Sequence, residues 1–140
     1  MASRRVSEYL VGLTSGFIFL SAFAHAGPGW KALREALQEG TDPAILGAVG
    51  VGWHFGSVSM ATFGLLGLLS AVQMRRGQPH ARWTPALIGT AYVLFGIGAL
   101  LYRGQKLHFV MFIVLGGFLI TGTLLWRTPE PTAGDQGRLR

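Results

Sequence analysis

The chain has 140 residues, of which 50% are hydrophobic and only 13% charged, with 21 glycines, no cysteine and a formal net charge of +6. Soluble domains carry about 25% charged residues, so this composition excludes a disordered chain and fits one folded unit rich in apolar surface. The lack of cysteine excludes a disulfide scaffold, thiol catalysis and any Cys-ligated zinc or iron–sulfur centre.

Four stretches carry no Asp, Glu, Lys or Arg: residues 9–30, 43–74, 83–102 and 107–126. About 20 apolar residues cross a hydrocarbon layer of about 30 Å. Every backbone N–H and C=O in that layer must be paired within its own segment, so each stretch is predicted to be a helix. The expected fold is all-α, an integral membrane antiparallel four-helix bundle. It occupies one domain over 1–127, with spans near 9–27, 44–74, 83–102 and 107–126. Residues 128–140, rich in Pro, Gly and charge, read as a disordered cytoplasmic tail.

The first span opens after Arg4 and Arg5 and carries Gly12 and Gly16, a GxxxG pair suited to close helix packing. The basic start and the Ala24-His25-Ala26 segment also match a cleavable signal peptide, whose removal would leave three spans. Gly27-Pro28-Gly29 is expected to end this span. Trp30, Leu33 and Leu37 then recur at helical spacing among charged residues, which predicts a short amphipathic helix lying at the outer surface. Gly40 can end it, and Asp42-Pro43 reads as an N-cap followed by proline at the first helical position. The second span is long enough that it must tilt, kink or protrude, and Gly52 and Gly56 form a second GxxxG pair. The later connections are short, which makes sequential helices antiparallel.

Eight Lys and Arg residues (Arg4, Arg5, Arg75, Arg76, Arg82, Arg127, Arg138 and Arg140) fall on one side of these spans. Four (Lys31, Arg34, Arg103 and Lys106) fall on the other. The positive-inside rule then places both termini in the cytoplasm of a multi-pass cell-membrane protein, with a bacterial inner membrane the expected setting. The basic balance is a topology signal, and no nucleic-acid partner is expected. Tyr9, Trp30, Trp53, Trp83, Tyr102 and Trp126 lie near the predicted ends, where amphipathic rings suit the interface.

No acidic or basic residue lies within a span, so the carboxylate or charge pair that ion-coupled transport depends on is missing. Ser-His-Asp hydrolysis lacks a carboxylate to orient its histidine. Histidine is the remaining chemistry. His80, after Pro79 among arginines, is expected to be solvated. His25 closes the first span and His108 opens the fourth. His54 lies about 20 residues before Arg75, which brings it to the same outer boundary. With about 10 Å between neighbouring helix axes, imidazoles from three helices can converge. The bland alternative is three separate interfacial histidines, each with an ordinary hydrogen bond.

Two functions follow as expectations. One is a metal- or cofactor-binding protein with His25, His54 and His108 as ligands near the outer leaflet. Ser57 shares a small-residue face with His54 and would assist it in cofactor binding. Neutral imidazole suits copper or zinc, and haem or chlorophyll between the helices is a further candidate. The other is an accessory subunit packing by its glycine faces against a larger membrane complex or a second copy. An enzyme acting on a lipid or quinone through His54 as general base is a weaker third reading, since no partner carboxylate is visible.

Gly52-Trp53-His54-Phe55, followed by Ser57 and Ser59, stands with His25 at the end of the first span and Leu107-His108-Phe109 at the start of the last. Together these segments resemble a class of small four-helix bacterial membrane proteins. In that class a His ends the first helix, a Trp-His pair opens the second and a His opens the fourth. The resemblance implies a four-helix membrane fold and the treatment of the three histidines as a set. It implies no activity and names no ligand.

Overall fold

The computed structural model describes residues 2–37, 40–103 and 107–126. The segment 128–140, read from sequence as a disordered tail, lies outside them. Five α-helices account for most of the chain: α1 (Ala2–Ala24), α2 (Trp30–Leu37), α3 (Pro43–Arg75), α4 (Trp83–Arg103) and α5 (Leu107–Leu125). A π turn at His25–Gly29 joins α1 to α2, and a 3-10 turn at Pro79–Arg82 precedes α4. There is no strand among the described residues. Four segments are long and apolar enough to cross a membrane: Arg5–Leu37, Pro43–Arg75, Pro79–Tyr102 and His108–Leu125.

The burial pattern is the reverse of that in a water-soluble domain. Ser7 and Ser15 are at most 1% exposed, and Thr14, Ser57, Ser70 and Thr123 are also buried. Leu13 is 73% exposed, Leu101 84%, and Phe55, Val58, Leu87 and Leu94 likewise point outward. Soluble proteins do not leave so much contiguous apolar surface in water. Lipid tails solvate Leu and Phe as well as a protein core does. Small and hydroxyl residues then make the helix–helix contacts.

Glycines decide which helices come close. A Cβ built at Gly64 would lie 2.5 Å from the backbone nitrogen of Phe19, and one at Gly67 would overlap the Ser15 side chain. These positions bring α3 directly onto α1. A Cβ at Gly89 would lie 2.7 Å from the Gly116 carbonyl, and one at Gly116 would lie 2.5 Å from the Gly89 carbonyl. Gly96 repeats the arrangement against Phe109 and Ile113, so α4 and α5 also pack backbone to backbone. Gly122 meets Val11, and the Ser7 hydroxyl donates to the Gly122 carbonyl, which ties α1 to α5. For α1 with α3 and for α4 with α5 the contacting residues rise along one helix as they fall along the other, so these two pairs are antiparallel.

The GxxxG expectation holds for one pair and not the other. Gly12 and Gly16 face Ala71 and Leu68 of α3 at ordinary contact distance. Gly52 has open space beside it, so in the second pair only Gly56 has a neighbour, the imidazole of His25.

One helix boundary differs from expectation. Gly27-Pro28-Gly29 does not end the first helix; the chain stays helical through the π turn and on into α2. α3 is likewise unbroken over 33 residues, a length of about 50 Å. Its start is capped as expected, with the Asp42 carboxylate accepting from the Ala44 N–H at 2.7 Å and Pro43 at the first position. The α1–α2 run and α3 therefore extend as a helical arm beyond the shorter α4 and α5. Trp126 also departs from the interfacial pattern. It is buried in the core beside Val11, Met74 and Leu119, whereas Tyr9, Trp83 and Tyr102 are exposed.

Gly64→Ala should separate α1 from α3 and destabilise the protein by about 1–3 kcal/mol. Gly52→Ala meets nothing and should be neutral or mildly stabilising, since alanine favours helix by about 1 kcal/mol. Reversible unfolding in mixed micelles measures both, and the opposite ranking would remove glycine packing as the determinant of the fold.

Candidate functional site

The junction between α1 and α2 shapes the site. Pro28 has no N–H to offer the carbonyl four residues back, and its ring crowds that turn of an α-helix. The backbone widens into a single π turn over His25–Gly29, while Ala24 and Trp30 on either side keep ordinary helical angles. Such turns are rare within helices and occur disproportionately at functional sites. The His25 carbonyl here accepts a hydrogen bond from Trp53 Nε1 at 2.7 Å.

The His25 side chain is held at several points. Its ring stacks on Trp53, with centroids 3.9 Å apart and planes 7° from parallel. Its Nδ1 lies 2.8 Å from the Ser57 hydroxyl. Gly56 gives it room: a Cβ there would stand 3.7 Å from His25 Cε1. Trp53, Gly56 and Ser57 occupy successive positions of one face of α3, so one helix supplies the stacking plane, the space and the hydroxyl.

The roles of the two ring nitrogens depend on the tautomer, and one tautomer follows where Ser57 gives its proton to Trp53. Ser57 carries a single hydroxyl proton, and its oxygen donates to the Trp53 carbonyl at 3.2 Å. The proton in the contact to His25 then comes from Nδ1. Nε2 is left with a lone pair, the form in which a histidine ligates a metal or accepts a hydrogen bond.

His25 lines an open-sided groove of about 280 Å³. The groove lies where α3 and α4 separate, since of the four adjacent helix pairs these two pack least. Met60 and Phe63 of α3 form one wall, and Ala91, Tyr92 and Phe95 of α4 form the other. Phe112 of α5 lies behind, with its ring centroid 4.9 Å from that of Phe95 and 5.4 Å from that of Tyr92. Tyr92 is 5% exposed, and its hydroxyl is buried without a hydrogen-bond partner.

Of the other histidines, His54 and His108 make different ring contacts. His54 is exposed and meets the Trp30 ring at a centroid distance of 5.4 Å. Gly50 makes that contact possible, since a Cβ there would lie 3.0 Å from Trp30 Cη2. His108 is exposed and lies against Phe109 of its own helix. His80 is exposed, as expected. Among the described residues no three His, Asp or Glu side chains form a group that could hold a metal ion. Ser57, read from sequence as a companion of His54, bonds His25 instead.

Sequence reasoning passed over Tyr92. A signal was available: Tyr9 and Tyr102 sit at the borders of charge-free stretches, whereas Tyr92 falls mid-stretch, where a phenol has no water to bond.

Nitrogen-15 spectra of histidine-labelled protein should show His25 as the Nδ1–H tautomer. Ser57→Ala should shift it toward a mixture, and Trp53→Phe should broaden it by removing the bond to the His25 carbonyl. An Nε2–H tautomer in the native protein would contradict the assigned network. No protein-family model, no curated protein and no solved structure matches this chain.

Proposed function

We propose that this chain is a multi-pass protein of a bacterial inner membrane, with both termini cytoplasmic, that binds a lipophilic cofactor or ligand. The binding site is the groove between α3 and α4, and His25 is its polar anchor. The membrane orientation rests on the excess of Lys and Arg on one side of the spans. The binding function rests on one observation: a histidine oriented by stacking, hydrogen bonding and a π turn lines a largely apolar groove whose other polar residues are Ser59 and Tyr92. A few placed polar groups in an apolar lining are what a small-molecule site requires. Orienting an imidazole through its second nitrogen is how ligating histidines are held.

An organic ligand fits this geometry better than a copper or zinc ion. His25, His54 and His108 do not form a ligand group, so a metal bound at His25 would need its other ligands from elsewhere. The groove, at about 280 Å³, lies at the small end of ligand sites, which run from about 300 to 1,000 Å³. That suits a single ring better than the macrocycle of haem or chlorophyll.

A second reading, an accessory subunit of a larger membrane complex, draws on a different observation. Gly47, Gly52, Gly98 and Gly117 lie in helices with open space beside them. Each costs helix stability without serving a contact inside this chain, as a face awaiting another helix would.

Protein purified in mild detergent should release a lipophilic compound on organic extraction, and Ala91→Trp, which fills the groove, should abolish its retention. Retention unchanged in Ala91→Trp would overturn the binding reading. A stable stoichiometric protein partner, with an empty extract, would favour the subunit reading.

A further inference from the structure

We propose that the groove takes a membrane-soluble molecule with a single hydroxylated ring as its head, a phenol or hydroquinone, on an apolar tail. This rests on the groove being a binding site and goes beyond it in naming the ligand's chemistry.

Two polar atoms in the groove's surroundings define that chemistry. His25 lines the groove, and with Nδ1 engaged by Ser57 its Nε2 is the atom left to accept a proton. Tyr92 also lines the groove, and its buried hydroxyl has no partner. Burying a hydroxyl without a partner is unfavourable, and the apolar lining nearby gives it nothing to bond. A ligand that meets both needs must donate one hydrogen bond and accept another. A ring hydroxyl does both: its O–H donates to His25 Nε2, and a ring oxygen accepts from the Tyr92 hydroxyl. A purely apolar guest would satisfy neither atom.

The walls favour a flat head. Phe63, Phe95 and Phe112 present ring surfaces around the groove, and aromatic groups pack on one another in offset or edge-to-face arrangements. The route in is lateral. α1 packs on α3 and on α5, and α5 packs on α4, so the α3–α4 gap opens at the bundle's outer surface, where apolar side chains face outward. A tail leaving through this gap would lie among lipid chains. The ligand is therefore drawn from the bilayer.

The test uses the full chain in nanodiscs, titrated calorimetrically with three probes that share a tail: para-decylphenol, para-decylanisole and decylbenzene. Empty nanodiscs provide the background. The phenol should bind tightest. The anisole, which accepts but cannot donate, should bind about three- to ten-fold more weakly, the worth of one hydrogen bond. Decylbenzene should be weaker again. Tyr92→Phe should lower affinity for the phenol by a similar factor and leave decylbenzene unchanged. Ser57→Ala, which releases the His25 tautomer, should narrow the gap between phenol and anisole. Equal binding of all three probes, or an unaltered phenol affinity in Tyr92→Phe, would overturn the proposed head group while leaving the groove as a site. If Ala91→Trp leaves decylbenzene binding intact, or if no probe binds above background, the groove reading itself fails.

Discussion

Backbone contact at glycine governs this molecule. Where Gly64 meets Phe19 and where Gly89 meets Gly116, no side chain separates the helices, and dispersion contacts along the two backbones replace the hydrophobic drive that lipid removes. Each helix has a limited set of such faces. α3 uses Gly64 and Gly67 toward α1, and α4 uses Gly89 and Gly96 toward α5. None of the glycines that a Cβ would crowd joins α3 to α4. These two helices therefore stay apart, and the groove is the space their separation leaves. Site and fold thus have one cause.

The histidine end follows from a second constraint, the missing N–H of Pro28. A regular α-helix would be distorted or broken there. Widening to a π turn keeps the chain helical and places the His25 carbonyl within reach of Trp53. The same α3 turn then stacks the Trp53 ring on His25 and supplies the Ser57 hydroxyl. Backbone, ring and hydroxyl act together, so the imidazole has little rotational freedom to lose when something binds. Preorganisation of this kind lowers the entropic cost of association.

Polar atoms are distributed unevenly along the bundle. Several hydroxyls within the helices bond back to a carbonyl one turn earlier, as Ser59, Thr62 and Thr90 do with Phe55, Val58 and Ala86. Such bonds satisfy the side chain locally and ask nothing of a neighbour. His25 and Tyr92 are different, because neither can reach its own helix backbone in that way. His25 finds Ser57 for one nitrogen, and Tyr92 finds no protein partner. Among the described residues Ser15, Tyr92 and Trp126 each keep a buried polar atom without a protein partner, and of these Tyr92 borders the groove that His25 also lines.

The lengths of the charge-free stretches determine four apolar helices, because an unbroken run of some 20 apolar residues leaves a backbone in lipid no other way to pair its polar groups. The cap at Asp42-Pro43 was equally legible, since it depends only on residues adjacent in the chain. An expected level of the histidines along the helices follows from counting. Their azimuth does not, because it depends on which glycines find a partner helix. Gly52-Gly56 and Gly12-Gly16 are the same pattern in sequence, yet only in the second do both glycines lie against a neighbouring helix. Tertiary structure therefore decided that His25 pairs with Ser57, that His25, His54 and His108 do not form a metal-holding group, and that Tyr92 borders a groove. Close packing is a property of two surfaces together, and one helix's sequence specifies only its own.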